Sequence, residues 1–171
     1  MAVVDELGHD GGADQAGVTK STFFRHFPDK RELLVAGQET LSRLLVEGIT
    51  ETPEGASPMQ AVAAGLERAS NALGPANREL GPKVKAAVAA SAELQERDAL
   101  KSVGMAAAMT AALMTRGVPD PVAQLAGELG VLAFKRGYSE WSARAGGPED
   151  RLAPYTLRAL SELRAASASL D

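Results

Sequence analysis

The sequence predicts an all-α protein. Alanine and leucine dominate its 171 residues, and many segments are rich in Ala, Leu, Glu, Arg and Gln, which are strong helix formers. Aromatic residues make up only 4% of the chain, and few segments show the β-branched alternation that is typical of strands. Helix start signals such as Ser57-Pro58 and Asp120-Pro121, and stop signals such as Gly117, divide the chain at intervals that suit helices.

The first well-marked helix is predicted to run from Asp29 to about Ile49. Asp29 is its N-cap, and Glu32 stands at the third helical position in an arrangement like a capping box. A second helix is predicted to follow Ser57, with Pro58 at its first position, and to end at about Leu73.

Four more helices are predicted in the rest of the chain. Their predicted bounds are Ala76–Ser91, Glu93–Arg116, Pro121–Ala145 and Glu149–Ser167. Gly81-Pro82 is expected to kink or divide the first of these, because proline lacks the amide hydrogen that an inner turn needs. Gly117 stands just past the end of the second, where a left-handed residue is favoured.

The amino-acid composition excludes several classes of function. The chain has no cysteine, which excludes disulfides, thiolate chemistry and cysteine-based zinc sites. His9 and His26 are the two histidines, and no group of residues has the spacing of metal ligands, a nucleophile–base pair or a phosphate-binding loop. The sequence therefore predicts a protein that is not an enzyme and has no cofactor or metal.

We expect a cytoplasmic protein with no membrane span. The N-terminus lacks a basic region followed by an apolar stretch, so no signal peptide is predicted. The most apolar segment, Val103–Met114, is shorter than the roughly 20 residues that cross a bilayer.

The segment Ala16–Lys30 carries the functional signal. Ala16-Gly17-Val18 is a tight turn, and a short helix is predicted from Thr19 to about His26. Phe23 and Phe27 lie one turn apart on its anchoring side. Its other side carries Lys20, Ser21, Phe24 and Arg25. The net charge of −4 is unusual for a nucleic-acid binder, but Lys20–Arg31 forms a local basic patch. The pattern suits a recognition helix, and it also suits a short amphipathic helix with solvated cations.

Residues 16–34 resemble the helix-turn-helix of the TetR (tetracycline-repressor-like) family. The resemblance lies in the Ala-Gly-Val-Thr turn, the aromatic-x-His-Phe ending and the lysine in the next helix. Phe24 stands where the family usually has tyrosine, so one phosphate contact is replaced by an apolar side chain. The residues expected to contact operator DNA are Thr19, Lys20, Ser21, Thr22, Phe24, His26 and Lys30.

The rest of the chain resembles the ligand-binding half of the same family. The resemblance rests on Glu93–Arg97, Arg116–Pro121 and Trp141. It implies a DNA-binding module with a connecting helix over residues 1–50, and a bundle for ligand binding and dimerisation over residues 51–171. It also implies a homodimer through the last two helices.

A small apolar ligand is expected among side chains that line the long fourth helix and the aromatic stripe of the fifth. These are Met59, Leu66, Met105, Met109, Leu113, Phe134, Tyr138 and Trp141. Methionines and aromatic residues at helical spacing are also typical of an ordinary core or of a dimer interface.

The chain before the turn departs from the family pattern. Family members usually have two helices there, whereas Met1–Gln15 contains Gly8, Gly11 and Gly12. The helix-turn-helix module is therefore expected to be incomplete, either by natural loss or because the start codon lies upstream. The sequence predicts a DNA-binding regulator, specifically a repressor released by a small apolar ligand. The alternative is a helical dimer that binds a ligand or partner and has lost DNA binding.

Overall fold

A computed structural model describes residues 30–170, with side chains from residue 37 onward. Within that range the secondary structure is helical, with no strand. The helices are α1 (Lys30–Thr50), α2 (Pro58–Asn71), α3 (Pro75–Ala89), α4 (Ala92–Thr115), α5 (Asp120–Ala143) and α6 (Ala153–Ser167). The predicted all-α class is confirmed.

The local capping signals are confirmed where they are strongest. The Ser57 hydroxyl accepts a hydrogen bond from the Gln60 amide, and the Gln60 side chain accepts one from the Ser57 amide. Pro58 is the first residue of α2, and Gly117 follows α4 with a φ of 83°. These ends follow from chemistry within a few residues of sequence, which is why the sequence predicts them closely.

Gly81-Pro82 does not divide the helix, because α3 continues across it. The reason lies in α5. The Tyr138 hydroxyl donates a 2.6 Å hydrogen bond to the Asn77 carbonyl, and Gly81 packs so closely on Ser142 that a Cβ there would lie 2.5 Å from the Ser142 Cβ. These tertiary contacts hold the turn around Pro82 in place even though the proline donates no backbone hydrogen bond.

The predicted start of the last helix at Glu149 is also wrong, since α6 begins at Ala153. The backbone carbonyl of Asp150 accepts a hydrogen bond from Trp141 Nε1 at 2.9 Å, and Leu152 is fully buried. Both interactions hold residues just before α6 in a loop.

Helix α5 packs against α2, α3, α4 and α6 and so lies at the centre of the bundle. Gly137 allows its closest approach to α6, because a Cβ at that position would lie 2.6 Å from the Thr156 amide nitrogen. Thr156 is fully buried, and its hydroxyl lies 3.1 Å from the hydroxyl of Ser70 on α2. A buried hydrogen bond between two neutral hydroxyls therefore connects α2 to α6 beside this contact.

Helix α1 is built into the same bundle. Leu41, Leu45 and Ile49 belong to the buried core, and the last two are fully buried. Gly48 brings α1 against α2, because a Cβ there would lie 2.6 Å from the Gly65 Cα. Two facing glycines thus allow backbone contact between α1 and α2.

We predict that Gly48→Ala lowers the free energy of unfolding by about 1–3 kcal/mol, because the added methyl group meets backbone atoms that cannot move aside alone. Alanine favours the helix itself by about 1 kcal/mol, so the steric term must exceed that gain. Chemical denaturation followed by circular dichroism measures the difference.

Gly104→Ala is the matched control. It also lies inside a helix, but its added Cβ would meet the amide end of the Gln38 side chain, which can rotate away. Its stability should stay equal or rise. Equal stability of both variants would contradict the close contact between α1 and α2.

Candidate functional site

Most of the expected DNA contacts lie outside the described residues. This applies to Thr19, Lys20, Ser21, Thr22, Phe24 and His26. Lys30 is the first residue of α1, and the structure describes its backbone but not its side chain. The expected incomplete module before the turn lies in the same part of the chain. The structure therefore locates the helix that follows the predicted recognition segment.

Ion pairs fix the C-terminal half of α1 to α2. Arg68 on α2 contacts the Glu47 carboxylate at 3.0 Å and the Glu51 carboxylate at 2.6 Å, and Arg43 contacts Glu47 at 2.6 Å. The hydrogen bond from Arg43 lowers the pKa of the Glu47 carboxyl. Solvent screens these exposed pairs, so they orient the two helices more than they stabilise them.

A second link joins the α1–α2 connection to the end of α4. The Arg116 guanidinium donates hydrogen bonds to the Thr52 carbonyl at 2.6 Å and to the Pro53 carbonyl at 2.8 Å. Arg116 is the C-cap residue of α4. A displacement of the end of α4 would therefore also move the loop after α1.

The structure brings the eight predicted ligand-contacting residues together in one core. Leu66, Met109 and Leu113 are fully buried, and Met105, Phe134 and Trp141 are nearly so. Met59 and Tyr138 are partly buried and pack against the same cluster. These side chains fill the centre of the bundle, so ligand binding there stays a prediction that requires the core to open.

The polar tips of the aromatic stripe are occupied by backbone partners. The Phe134 and Tyr138 rings stack with centroids 6.2 Å apart, and the Tyr138 and Trp141 centroids are 5.9 Å apart. Tyr138 donates to the Asn77 carbonyl and Trp141 to the Asp150 carbonyl. Burial raises the pKa of the Tyr138 hydroxyl to about 12, which keeps it a neutral donor. These two hydrogen bonds give the aromatic stripe a structural role in the bundle.

Sequence reasoning missed Arg78, which is 8% exposed. Its Nη2 atom lies 2.9 Å from an Asp150 carboxylate oxygen and donates to the Arg144 carbonyl at 2.7 Å. The guanidinium carbon lies 5.5 Å from the Trp141 ring centroid. Nη1 is buried without a hydrogen-bond acceptor. The sequence feature that goes with this buried arginine is Gly146, because a Cβ at that position would overlap the guanidinium group.

The surface of the bundle carries clefts between its helices. One, of about 400 Å³, lies between the start of α3 and the loop before α6, and its walls include Arg78, Arg144 and Asp150. Another, of about 480 Å³, lies between α5 and α6 and is lined largely by charged and small side chains. Neither wall includes any of the eight predicted ligand contacts, so these clefts are not the predicted site.

Lys101 on α4 is a partly buried cation that the sequence did not single out. Burial lowers the pKa of its ammonium group, nearby Asp98 opposes that effect, and Lys135 adds to it. Lys135 in turn contacts the Asp98 carboxylate at 3.0 Å. Three charged groups thus meet at this end of α4 and α5.

Within residues 30–170, no helix is both long and apolar enough to cross a membrane. In the same range, no three or more His, Cys, Asp or Glu side chains are grouped so that they could hold a metal ion.

Residues 13–36 match the sequence model of the family described as bacterial regulatory proteins, tetR family. The match spans the predicted turn and recognition helix and ends within the first two turns of α1. Over these residues the chain is similar to TetR-family regulators, which supports a DNA-binding transcriptional regulator of that kind. No curated protein matches it. Regulators of this family generally bind operator DNA as homodimers and are generally not enzymes.

The position of α1 relates the matched segment to the rest of the structure. The family match includes its first residues, and Leu41, Leu45 and Ile49 on its later turns are buried in the bundle. Helix α1 therefore runs from the end of the matched segment into the core that contains the predicted ligand contacts.

We predict that Arg78→Met lowers the free energy of unfolding by about 1–3 kcal/mol, because it leaves the Asp150 carboxylate and the Arg144 carbonyl without their buried donor. Denaturant titration with Trp141 fluorescence measures this loss and also reports changes beside the ring. Arg158→Met, which removes an exposed ion pair to Glu140, should leave the stability nearly unchanged. Equal losses in the two variants would contradict a structural role for Arg78.

Proposed function

We propose that this regulator represses transcription as a homodimer and is released from its operator by a small apolar ligand. The supporting observation is that α1 shares its core with the predicted ligand contacts. Leu45 and Ile49 of α1 belong to the same buried cluster as Leu66, Met109 and Leu113. A ligand that separates these side chains also displaces the surface on which α1 packs.

Release then follows from a difference in affinity between two states. The packed core holds α1 in one orientation, and the ligand-filled core favours another. A ligand shifts this equilibrium only as far as it binds the second state more tightly. Because two recognition helices must enter successive major grooves about 34–36 Å apart, a small change in the angle of α1 disturbs both contacts.

The proposal includes the DNA contacts at Thr19–His26 and Lys30, and a homodimer through the last two helices, α5 and α6. A protein that reads operator DNA acts where that DNA lies, which for a bacterial regulator is the cytoplasm. The methionines at positions 105 and 109 suit an adaptable apolar site, since their unbranched side chains adopt many shapes.

The DNA-binding part is tested by anisotropy titration on promoter DNA that flanks the gene, at several salt concentrations. Lys20→Ala and Lys30→Ala should each weaken binding and lower the salt slope by about 1 for each lost phosphate contact. Lys83→Ala, at an exposed site on α3, is the charge-matched control and should leave the slope unchanged. If Lys20 reads a guanine, its loss should instead relax specificity at one base pair.

Absence of salt-dependent binding by the wild-type chain would contradict the repressor proposal. Ligand binding without DNA binding would then favour the second candidate, a helical dimer that has lost its operator. The glycine-rich segment Met1–Gln15 is the observation behind that candidate.

The ligand part is tested with a panel of apolar compounds, using Trp141 emission and the melting temperature as readouts. A ligand at 100 times its Kd should stabilise the bound state by about 2.7 kcal/mol. Met109→Ala should change the response because it alters the core, whereas Leu170→Ala, 86% exposed, should not. A panel that shifts neither readout would remove the support for an apolar ligand.

A further inference from the structure

The cleft between the start of α3 and the loop before α6 contains a cation with an unused hydrogen-bond donor. Arg78 forms part of the cleft wall and is only 8% exposed. Its Nη2 atom serves the Asp150 carboxylate and the Arg144 carbonyl, whereas Nη1 is buried without an acceptor. We name this space of about 400 Å³ the Arg78 cleft.

An unused donor on a buried guanidinium group is uncommon. Most buried polar atoms have a hydrogen-bond partner, and a donor that leaves water without gaining one costs free energy. Arginine presents its five N–H groups in a fixed planar fork, so Nη1 cannot turn to share the acceptors of Nη2. A ligand that brings an acceptor atom to Nη1 would offset this cost.

The loop over Nη1 is built from small and exposed residues. Gly146 lies directly against Nη1, because a Cβ at Gly146 would overlap the guanidinium group. Gly146 and Gly147 are both exposed, and a Cβ at Gly147 would meet open space. Glycine adopts backbone conformations that other residues avoid, so this part of the loop can change its path at low cost. A shift of Gly146 away from α3 would let a ligand atom reach Nη1.

The two ends of the same loop are held more firmly. At one end, the Arg144 carbonyl accepts the hydrogen bond from Arg78. At the other end, Asp150 contacts Arg78 through its carboxylate and accepts a hydrogen bond from Trp141 Nε1 through its backbone carbonyl. The glycine pair can therefore move between two anchored ends, and the cleft keeps its walls when it does.

The charges on the cleft walls favour a ligand with one negative charge. Arg144 supplies a second guanidinium group, and its own pair with Glu140 is exposed and thus weak, so it can also face an anion. Glu79 and Asp150 line the same walls and would repel a doubly charged phosphate more than a singly charged carboxylate. A planar carboxylate also matches the geometry of a guanidinium group.

The rest of the wall suits a compact apolar body. Pro75 and Pro82 of α3 line one side of the cleft, and Pro148 lies on the loop. Small-molecule sites are mostly apolar with a few placed polar groups, and their volumes are about 300–1,000 Å³. The Arg78 cleft has both features.

We propose that the Arg78 cleft binds a small monocarboxylate. One carboxylate oxygen accepts a hydrogen bond from Arg78 Nη1, Arg144 supplies a second positive charge, and the apolar part of the ligand packs on the prolines. This ligand differs in chemistry from the apolar molecule proposed for the core, so the cleft is a second site. Binding is reported at Trp141, because the Arg78 guanidinium carbon lies 5.5 Å from the centroid of its ring.

The test titrates the full chain with cyclohexanecarboxylate and follows Trp141 emission. Cyclohexanecarboxamide has nearly the same shape without the charge and is the matched control. The carboxylate should give a saturable change with a Kd lower by about tenfold or more, because charge-assisted hydrogen bonds are stronger than neutral ones. Sodium chloride at the same ionic strength should give no saturable change. Inorganic phosphate should bind more weakly than the carboxylate.

Two variants locate the binding. Arg78→Met removes Nη1 and should abolish the response in a chain that circular dichroism shows to be folded. Ala145→Glu leaves Arg78 in place and adds a carboxylate to an exposed part of the cleft wall, so it should raise the Kd by about tenfold. Ala111→Glu adds the same charge at an exposed position of α4 outside the cleft and should leave the Kd unchanged.

Equal binding of the carboxylate and the amide would overturn the proposal, and so would phosphate that binds as tightly as the carboxylate. Equal weakening by Ala145→Glu and Ala111→Glu would place the ligand elsewhere. Absence of a saturable change up to about 10 mM cyclohexanecarboxylate would leave Arg78 with a structural role alone. The proposed repressor function is judged separately, by the DNA titrations and the panel of apolar compounds, so failure of one proposal does not decide the other.

Discussion

The packing of α1 into the bundle is the constraint on which the rest of the structure depends. Leu45 and Ile49 are fully buried, and Gly48 lies directly against Gly65. Because protein interiors are close-packed, a helix held in this way does not rotate by itself. Any movement of α1 must accompany a rearrangement of α2, α4 or the core between them. Because the segment that matches the tetR family model leads into α1, the proposed DNA-binding end and the core are parts of one mechanical unit.

How much the sequence predicted depended on the range of the interactions that decide each feature. Ser57 and Gly117 mark helix ends by contacts within a few residues, and those ends were predicted closely. Pro82 and the residues before Ala153 behave otherwise, because hydrogen bonds from Tyr138 and Trp141 decide their conformation. Those partners lie on α5, and no local pattern indicates which backbone carbonyl they reach.

The features of the candidate site were likewise predicted only where they depend on local sequence. Met109, Leu113, Phe134 and Leu66 lie in one buried cluster, while their role as ligand contacts stays a prediction. Helical spacing did not indicate that the polar tips of Tyr138 and Trp141 are already bonded to the backbone, which limits what they offer a ligand. Arg78 escaped prediction because a buried arginine looks like any exposed one in a sequence. The related sequence feature is Gly146, which leaves room for the Arg78 guanidinium. A glycine in a loop indicates this only once the loop is known to lie over α3.

The Arg78 contacts also bear on what a ligand would have to disturb. A buried ion pair often contributes little net stability, because desolvation of both ions offsets their attraction. It does restrict geometry: the guanidinium fits only where Asp150, the Arg144 carbonyl and the Trp141 ring converge. Since Trp141 also donates to the Asp150 carbonyl, α3, the end of α5 and the loop before α6 are held in one arrangement. The proposed ligand would meet the core around Met109 on its α1 side, where Leu45 and Ile49 belong to the same buried cluster. Arg68, Arg116 and the Gly48–Gly65 contact hold that side as well, so the proposed release requires α1 to shift together with α2 and the end of α4.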